Sequence, residues 1–497
     1  MALDMSHVVV IGAGLAGLSA ACHLVGDGHR VTVVEKEPVP GGRSGRLTRD
    51  GFTFDTGPTV LTMPALIDRP LRAAGSSLAE RLELSVLDPA YRGFFADGST
   101  LDVRHGHEAM RAEIAAECGP RDAAAFDDFV VWLRELYEVE MPHFIDRNFD
   151  GPLDLLARPR AALSLLRLGA LGRLGPMVRR RFDDPRLHRL FSFQAMYAGL
   201  DPERALAIYA VITYMDSIEG VYFPRGGMRA VPDALAGAAA DAGVEFRYGT
   251  SVTSLVRDAA GAARGVVLDD SRTLAADAVV CTIDLPTAYE WLLPGLRPPR
   301  AVAGVLGGRY SPSAVVWHVG VRGVPQRFVH HNIHFGADWA GAFDDLLRRG
   351  TTMADPSRLV TVHSLDDADA APEGCSTLYV LEPVPNLEVG GIDWSRRREP
   401  MRASLHAFLV EAGYPSDIVV EELVTPDDWL AQGMAAGTPF ALAHTFPQTG
   451  PFRAPNVDRR VPRLVFAGSG TVPGVGVPMV LPSGRLAAER VAELLGR

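Results

Sequence analysis

The sequence predicts an α/β fold built on a parallel sheet and enlarged by an inserted mixed α+β unit. Three observations predict it. Val8-Val9-Val10-Ile11 is a short, continuous apolar run, the pattern of a parallel strand buried on both faces. It leads directly into Gly12-Ala13-Gly14-Leu15-Ala16-Gly17, and a second β-rich run, Arg30-Val31-Thr32-Val33-Val34, follows a helical stretch and ends on Glu35. At 497 residues the chain also exceeds what one hydrophobic core usually holds, so two or three domains are expected.

Strand, glycine loop, helix, strand and carboxylate stand in the order of a Rossmann-type dinucleotide-binding unit. Gly12 permits the tight turn, Gly14 lets the backbone approach a pyrophosphate, and Gly17 lets the helix pack closely on the strand. Leu15 and Ala16 open a small-residue helix running to Val25, whose free N–H groups and positive dipole end face the phosphates. Glu35 ends the second strand where a ribose hydroxyl is expected.

Lys36-Glu37-Pro38-Val39-Pro40-Gly41-Gly42-Arg43 comes next. It resembles the GG-R extension of the large FAD superfamily that includes amine oxidases, protoporphyrinogen oxidases and carotenoid desaturases, with a glutathione-reductase-like FAD domain. The resemblance implies that Gly42 brings backbone to the diphosphate and that Arg43 supplies a bidentate cation, with Lys36 nearby. Two further elements are similar to that superfamily. Val252, Leu255 and Val256 alternate as a strand, a turn at Ala259-Ala260-Gly261 leads to Gly265–Leu268, and Ala278–Cys281 reads as a strand returning to the main sheet. Leu464-Val465-Phe466-Ala467-Gly468 then precedes a glycine-rich stretch and an amphipathic helix from about Ser483 to Leu495. The same resemblance puts Thr56, Gly57, Pro58, Val252, Gly468, Gly470, Gly476 and Val477 among the cofactor contacts. No second GxGxxG follows a strand, so electrons are expected to leave to oxygen or a quinone rather than come from NAD(P)H.

Further motifs resemble the bacterial phytoene desaturases. Gly51-Phe52-Thr53-Phe54-Asp55-Thr56-Gly57-Pro58-Thr59-Val60, Phe223-Pro224-Arg225-Gly226-Gly227, His330-His331-Asn332-Ile333 and the run Ala467 to Pro478 carry the likeness over nearly the whole chain. Many relatives have histidine where Val472 stands, so no role for an imidazole at that position carries over. The resemblance implies FAD-dependent desaturation of a linear polyene such as 15-cis-phytoene toward neurosporene or lycopene, with Tyr222, Phe223, Gly226 and Gly227 at the substrate. It also implies an acidic and a basic residue near the reacting end. Asp154 and Arg158, four apart at the start of an expected helix, fill that description, and a surface ion pair explains the same spacing.

The implied organisation is discontinuous. Residues 1–75, 225–300 and 425–497 form the FAD-binding domain, 76–224 a helical substrate- and membrane-associating part, and 301–424 the sheet of the substrate domain. Residues 76–224 are rich in Leu, Ala, Phe and Tyr, including Phe191 to Tyr197, and suit either plain core or a long apolar tunnel. From Pro159 to Phe182 leucines interleave with arginines, the composition of a solvated helix or of a segment lying on an anionic leaflet. No transmembrane span or signal peptide is read, so a cytoplasmic enzyme held at the inner membrane face is expected. A net charge of −11 argues against a nucleic-acid partner. The four cysteines lack metal or CxxC spacing, so neither a metal nor a disulfide is expected. Rival readings are a diapophytoene desaturase, a carotenoid isomerase or ketolase, an amine oxidase, and a non-catalytic prenyl-lipid-binding relative. The amine oxidase needs a lysine near the flavin, and Lys36, beside the ribose carboxylate, is the chain's one lysine.

Overall fold

In the computed structural model, which describes residues 5–296 and 309–496, five strands pair in parallel. Their order is Leu464–Phe466, Ala278–Cys281, His7–Ile11, Arg30–Val34 and Glu245–Arg247. Val8, Val9 and Val10 are fully buried because both faces of this sheet are covered, which is why the run does not alternate. Helices Leu15–Gly26, Ala230–Asp241 and Val477–Leu495 cover one face. The antiparallel meander Val252–Arg257, Ala263–Leu268 and Thr273–Ala275 covers the other, packing Val266 and Leu268 with Val9, Ile11 and Val279. The boundary expected between residues 300 and 301 lies outside the described residues.

The two ends of the chain are locked together. A Cβ on Gly484 would lie 2.4 Å from the Ala16 carbonyl oxygen, so the first and last helices cross backbone to backbone. Ser19 Oγ donates to the Leu481 carbonyl at 2.7 Å across this crossing. The last helix starts at Val477, six residues before the expected Ser483. Pro478 is tolerated in its first turn, where no intrahelical N–H bond is required.

The second sheet has seven strands, in the order Asp417–Val424, Ser313–Arg322, Cys375–Val384, Arg358–Thr361, His331–His334, Tyr91–Phe94 and Thr100–Val103. The last two belong to the stretch expected to be helical. They are four residues each, too short for alternation to stand out, and their place is set by pairing of Asn332–His334 with Arg92–Phe94. The helix Pro426–Ala431, beyond the boundary expected at 424, packs on this sheet. Trp429 rests on Ala314, Val316 and Tyr379, and its Nε1–H donates to the Ala314 carbonyl at 2.9 Å. Helices Pro120–Glu140, Pro159–Arg167 and Leu174–Arg181, with short 3-10 and π turns between 141 and 218, complete this half. Among the described residues no helix is long and apolar enough to cross a membrane.

Candidate cofactor and substrate site

A cavity of about 1190 Å³ begins at the glycine loop and runs into the helical half. That exceeds the 300–1,000 Å³ or so of ordinary small-ligand pockets. At the sheet end its wall includes Gly12, Gly14, Leu15 and Ala16, then Glu35 and Lys36, then Gly42 and Arg43. Thr56, Gly57, Pro58, Val252, Gly468, Gly476 and Val477 lie on the same wall. Gly17 and Gly470 do not. A Cβ at Gly17 would stand 2.0 Å from the Gly12 carbonyl oxygen, and one at Gly470 would stand 2.9 Å from Leu285 Cβ, so both are packing positions behind the wall.

The wall offers what a dinucleotide needs. Helix Leu15–Gly26 starts with no side chain capping it, so its first N–H groups are open to an anion. A Cβ on Gly14 would meet nothing nearer than Gly42 Cα at 4.0 Å, so the bare backbone of both residues faces the cavity. Glu35, buried at the strand end, accepts N–H bonds from Ala13 at 2.6 Å and Glu37 at 2.9 Å, which aims its carboxylate across the loop. The exposed Lys36 ammonium lies 3.7 Å from Glu37 Oε1. Arg43 lines the cavity and is exposed, with protein crowding around its guanidinium. It donates to Ser469 Oγ at 2.7 Å and to the Pro439 carbonyl, while the Asp284 carboxylate supports its charge against the cost of burial.

Two residues that the motifs did not single out shape the C-terminal wall. Arg453, 3% exposed, donates to the carbonyls of Thr471 at 2.9 Å, Ser469 at 2.6 Å and Gln448 at 3.1 Å. Burial lowers its guanidinium to about 10, still charged at neutral pH. His444 stands so close to Gly474 that a Cβ there would lie 2.2 Å from its Cε1. Burial holds this imidazole well below its usual range, so it is neutral. An imidazole therefore does reach this loop, from 444 rather than 472, where the buried Val472 lends its carbonyl to Ser483 Oγ at 2.8 Å. Nothing in local sequence signals either residue, since their positions depend on a long-range fold.

The expected substrate contacts lie elsewhere in the fold. Tyr222, Phe223, Gly226 and Gly227 are absent from the cavity wall. Tyr222–Pro224 pairs with Leu84–Val86, and Phe223 packs its ring 4.6 Å from His330. Gly226 and Gly227 turn with φ of 81° and 83°, which brings the Met228 N–H to Asp55 Oδ2 at 2.8 Å. The FP-GG and GFTFD motifs thus meet each other behind the wall and have a structural role. The pairing expected of Asp154 and Arg158 is corrected as well. The turn Pro152–Ala157 is 3-10 and ends at Arg158, so the two do not share an α-helix face. Asp154 accepts the N–H groups of Asp150 at 2.6 Å and Gly151 at 3.3 Å, whereas Arg158 Nη1 donates to His143 Nδ1 at 2.8 Å. Neither lines the cavity.

The inner half of the cavity is apolar, walled by Phe193, Met196, Leu200, Leu206, Ile208 and Met215. Two carboxyl groups, Glu140 and Asp216, interrupt it. Among the described residues no cluster of His, Cys, Asp or Glu is arranged to hold a metal.

The sequence profile described as flavin containing amine oxidoreductase matches residues 15–492. This chain belongs to that family, among its phytoene desaturase-type members. A phytoene dehydrogenase of Streptomyces griseus is 52% identical over 98% of this chain and 95% of its own. A zeta-carotene-forming phytoene desaturase of Myxococcus xanthus is 39% identical over 98% of this chain and 93% of its own. Among solved structures, an oxidoreductase from Methanosarcina mazei superposes with a TM-score of 0.61 at 18% identity, over 97% of this chain and all of that one. At that identity the likeness concerns the fold, which is the α/β flavoprotein fold of the family. Family membership makes the chain a flavin-dependent oxidoreductase, and the bare glycines, uncapped helix and Arg43 fit that cofactor.

Proposed function

We propose that the chain desaturates 15-cis-phytoene, or a linear polyene of that kind, toward neurosporene and lycopene with FAD as the hydride acceptor. The apolar cavity continuous with the dinucleotide wall carries this reading: a polyene has no polar handle, so its site must hold it by shape and exclude water. The phytoene dehydrogenase of Streptomyces griseus supports it.

FAD would be held by Gly12, Gly14 and the helix N-terminus at the diphosphate, Glu35 at the ribose, and Arg43, Gly468 and Val477 along the C-terminal wall. Bound there, it supplies the two-electron acceptance that no side chain offers. The chain's own groups orient the polyene and keep the site dry. Reoxidation by a quinone or oxygen is the reading that the single nucleotide fingerprint supports.

Uptake from the membrane accounts for the surface around residues 153–171. Leu153 and Leu156 are 78% and 76% exposed, and Leu163, Leu166 and Leu171 are also exposed. Leu166, Leu171 and Phe446 line the cavity while being open to solvent, so they stand at its mouth, with Arg160, Arg167 and Arg173 exposed on the same segment. Apolar tips flanked by arginines suit an anionic leaflet at the cytoplasmic side. A Leu153→Ser, Leu156→Ser, Leu163→Ser, Leu166→Ser variant is expected to stop co-sedimenting with anionic liposomes while keeping its flavin absorbance. Unchanged sedimentation removes the membrane reading.

The decisive assay incubates the holoenzyme with phytoene, liposomes and a quinone, then separates the pigments by chromatography. Coloured products with longer conjugation are expected. Unchanged phytoene despite bound FAD overturns the proposal, and conversion of the shorter diapophytoene instead reassigns the substrate.

A further inference from the structure

Asp216 is an unusual residue to find on an apolar wall. It is 2% exposed and sits in the π turn Tyr214–Ile218, where the helix widens as helices often do at functional sites. Its Oδ1 accepts the Ser217 hydroxyl at 2.8 Å, but Oδ2 has no partner. Facing it are Gln194 and Tyr197 from the turn Phe193–Ala198 and Tyr91 from the strand Tyr91–Phe94. Gln194 Oε1 and the Tyr91 hydroxyl are likewise buried without a hydrogen bond of normal geometry. A carboxyl buried for structural reasons alone normally has its oxygens satisfied. This one stands on the cavity wall and leaves a buried oxygen without a partner.

Burial pushes Asp216 up to about 7, offset in part by the neighbouring Ser217 hydroxyl and Gln194 amide. A group so placed exchanges a proton readily at neutral pH. Glu140, the other carboxyl on this wall, also leaves an oxygen without a partner, but burial holds it well above the carboxylate range with nothing opposing it, which favours its protonated form. Tyr91 and Tyr197 are pushed up by burial and remain donors.

We propose that Asp216 is the proton acceptor of the desaturation, taking at Oδ2 the proton released from the carbon beside the one that loses hydride. The inference rests on the polyene desaturase reading above. Two hydrogens leave adjacent carbons: one departs with its electron pair to the flavin, which is reduced by two electrons, and the other departs as a proton to Asp216. The electron pair of that second C–H bond becomes the new π bond. The Tyr197 and Tyr91 hydroxyls are placed to steady the carboxylate before it is protonated.

The test is anaerobic single-turnover reduction of the flavin by phytoene. In the wild type the rate rises with pH through about 7, since the carboxylate form is the active one. Asp216→Asn is expected to slow reduction by about 10²–10⁴-fold and abolish the pH dependence, with flavin and phytoene still bound. Asp216→Glu restores part of the rate. Infrared titration of the substrate-free holoenzyme gives an independent readout: a protonated-carboxyl band that vanishes as pH rises through about 7 and is missing from Asp216→Asn. An Asp216→Asn enzyme within about tenfold of wild type, or with the same pH dependence, overturns the proposal. So does a wild type with no carboxyl titrating near neutrality. If Asp216→Asn loses its flavin, Asp216→Glu and the wild-type infrared titration decide. A wild type whose flavin phytoene cannot reduce sinks the desaturase reading itself, and the proton acceptor with it; an active wild type with an unimpaired Asp216→Asn sinks the proton acceptor alone.

Discussion

Replacing Gly17 with alanine is expected to give a protein that purifies without flavin. The added methyl would stand 2.0 Å from the Gly12 carbonyl oxygen, 3.1 Å from its carbon and 3.4 Å from Thr282 Cγ2. The first two are backbone, so the helix must move off the strand. Overpacking of this kind costs about 1–3 kcal/mol. The shift also carries the Gly14 backbone and the helix N-terminus out of line with the diphosphate. Losing two charge-assisted hydrogen bonds at about 1.5–3 kcal/mol each weakens binding on the order of 10²–10⁴-fold. Gly14→Ala is the informative contrast. Its methyl meets no protein atom nearer than 4.0 Å, so the flavin-free protein should melt as wild type does while flavin affinity falls, because the methyl occupies ligand space. Titration calorimetry with FAD and melting of both apo variants separate the effects. Normal flavin content in Gly17→Ala contradicts the packing argument.

Arg453→Ala is expected to destabilise the fold by roughly 3–9 kcal/mol and strip the flavin. Three carbonyls, those of Gln448, Ser469 and Thr471, share this one buried guanidinium. Each acceptor left buried without a donor costs about 1–3 kcal/mol. Ser469 also receives the Arg43 guanidinium on its hydroxyl, so loosening its backbone disturbs the cofactor wall directly. Arg453→Lys keeps the charge but lacks the planar fork that reaches three carbonyls, and should fall between. Chemical denaturation and flavin absorbance of the three proteins are the measurements. A loss under about 1 kcal/mol in Arg453→Ala would mean that water replaces the guanidinium at all three carbonyls.

What could be read in advance was local. The strands His7–Ile11 and Arg30–Val34, the helix between them and the hairpin within 252–268 follow from periodicity and turn residues within short windows. Gly12, Gly14 and Glu35 follow from spacing, because backbone approach to a diphosphate needs glycines in fixed order, Arg43 follows from the family likeness, and these four meet on one wall. Motif likeness was less reliable about roles. Tyr222, Phe223, Gly226 and Gly227 form a recognisable string, yet the fold sets Gly227 against the Asp55 carboxylate and keeps all four off the cavity wall.

The sequence by itself determined the α/β class and the glycine-loop part of the site, both properties of contiguous residues, and left the apolar stretch after residue 76 open between core and tunnel. Only the tertiary structure decided which groups face the cavity there. Asp216, Glu140 and His444 on the wall, and Arg453 behind it, stand far from the glycine loop in the chain. Whether a carboxyl or a guanidinium is buried, and left with an open oxygen or three carbonyls, depends on surfaces brought together by folding.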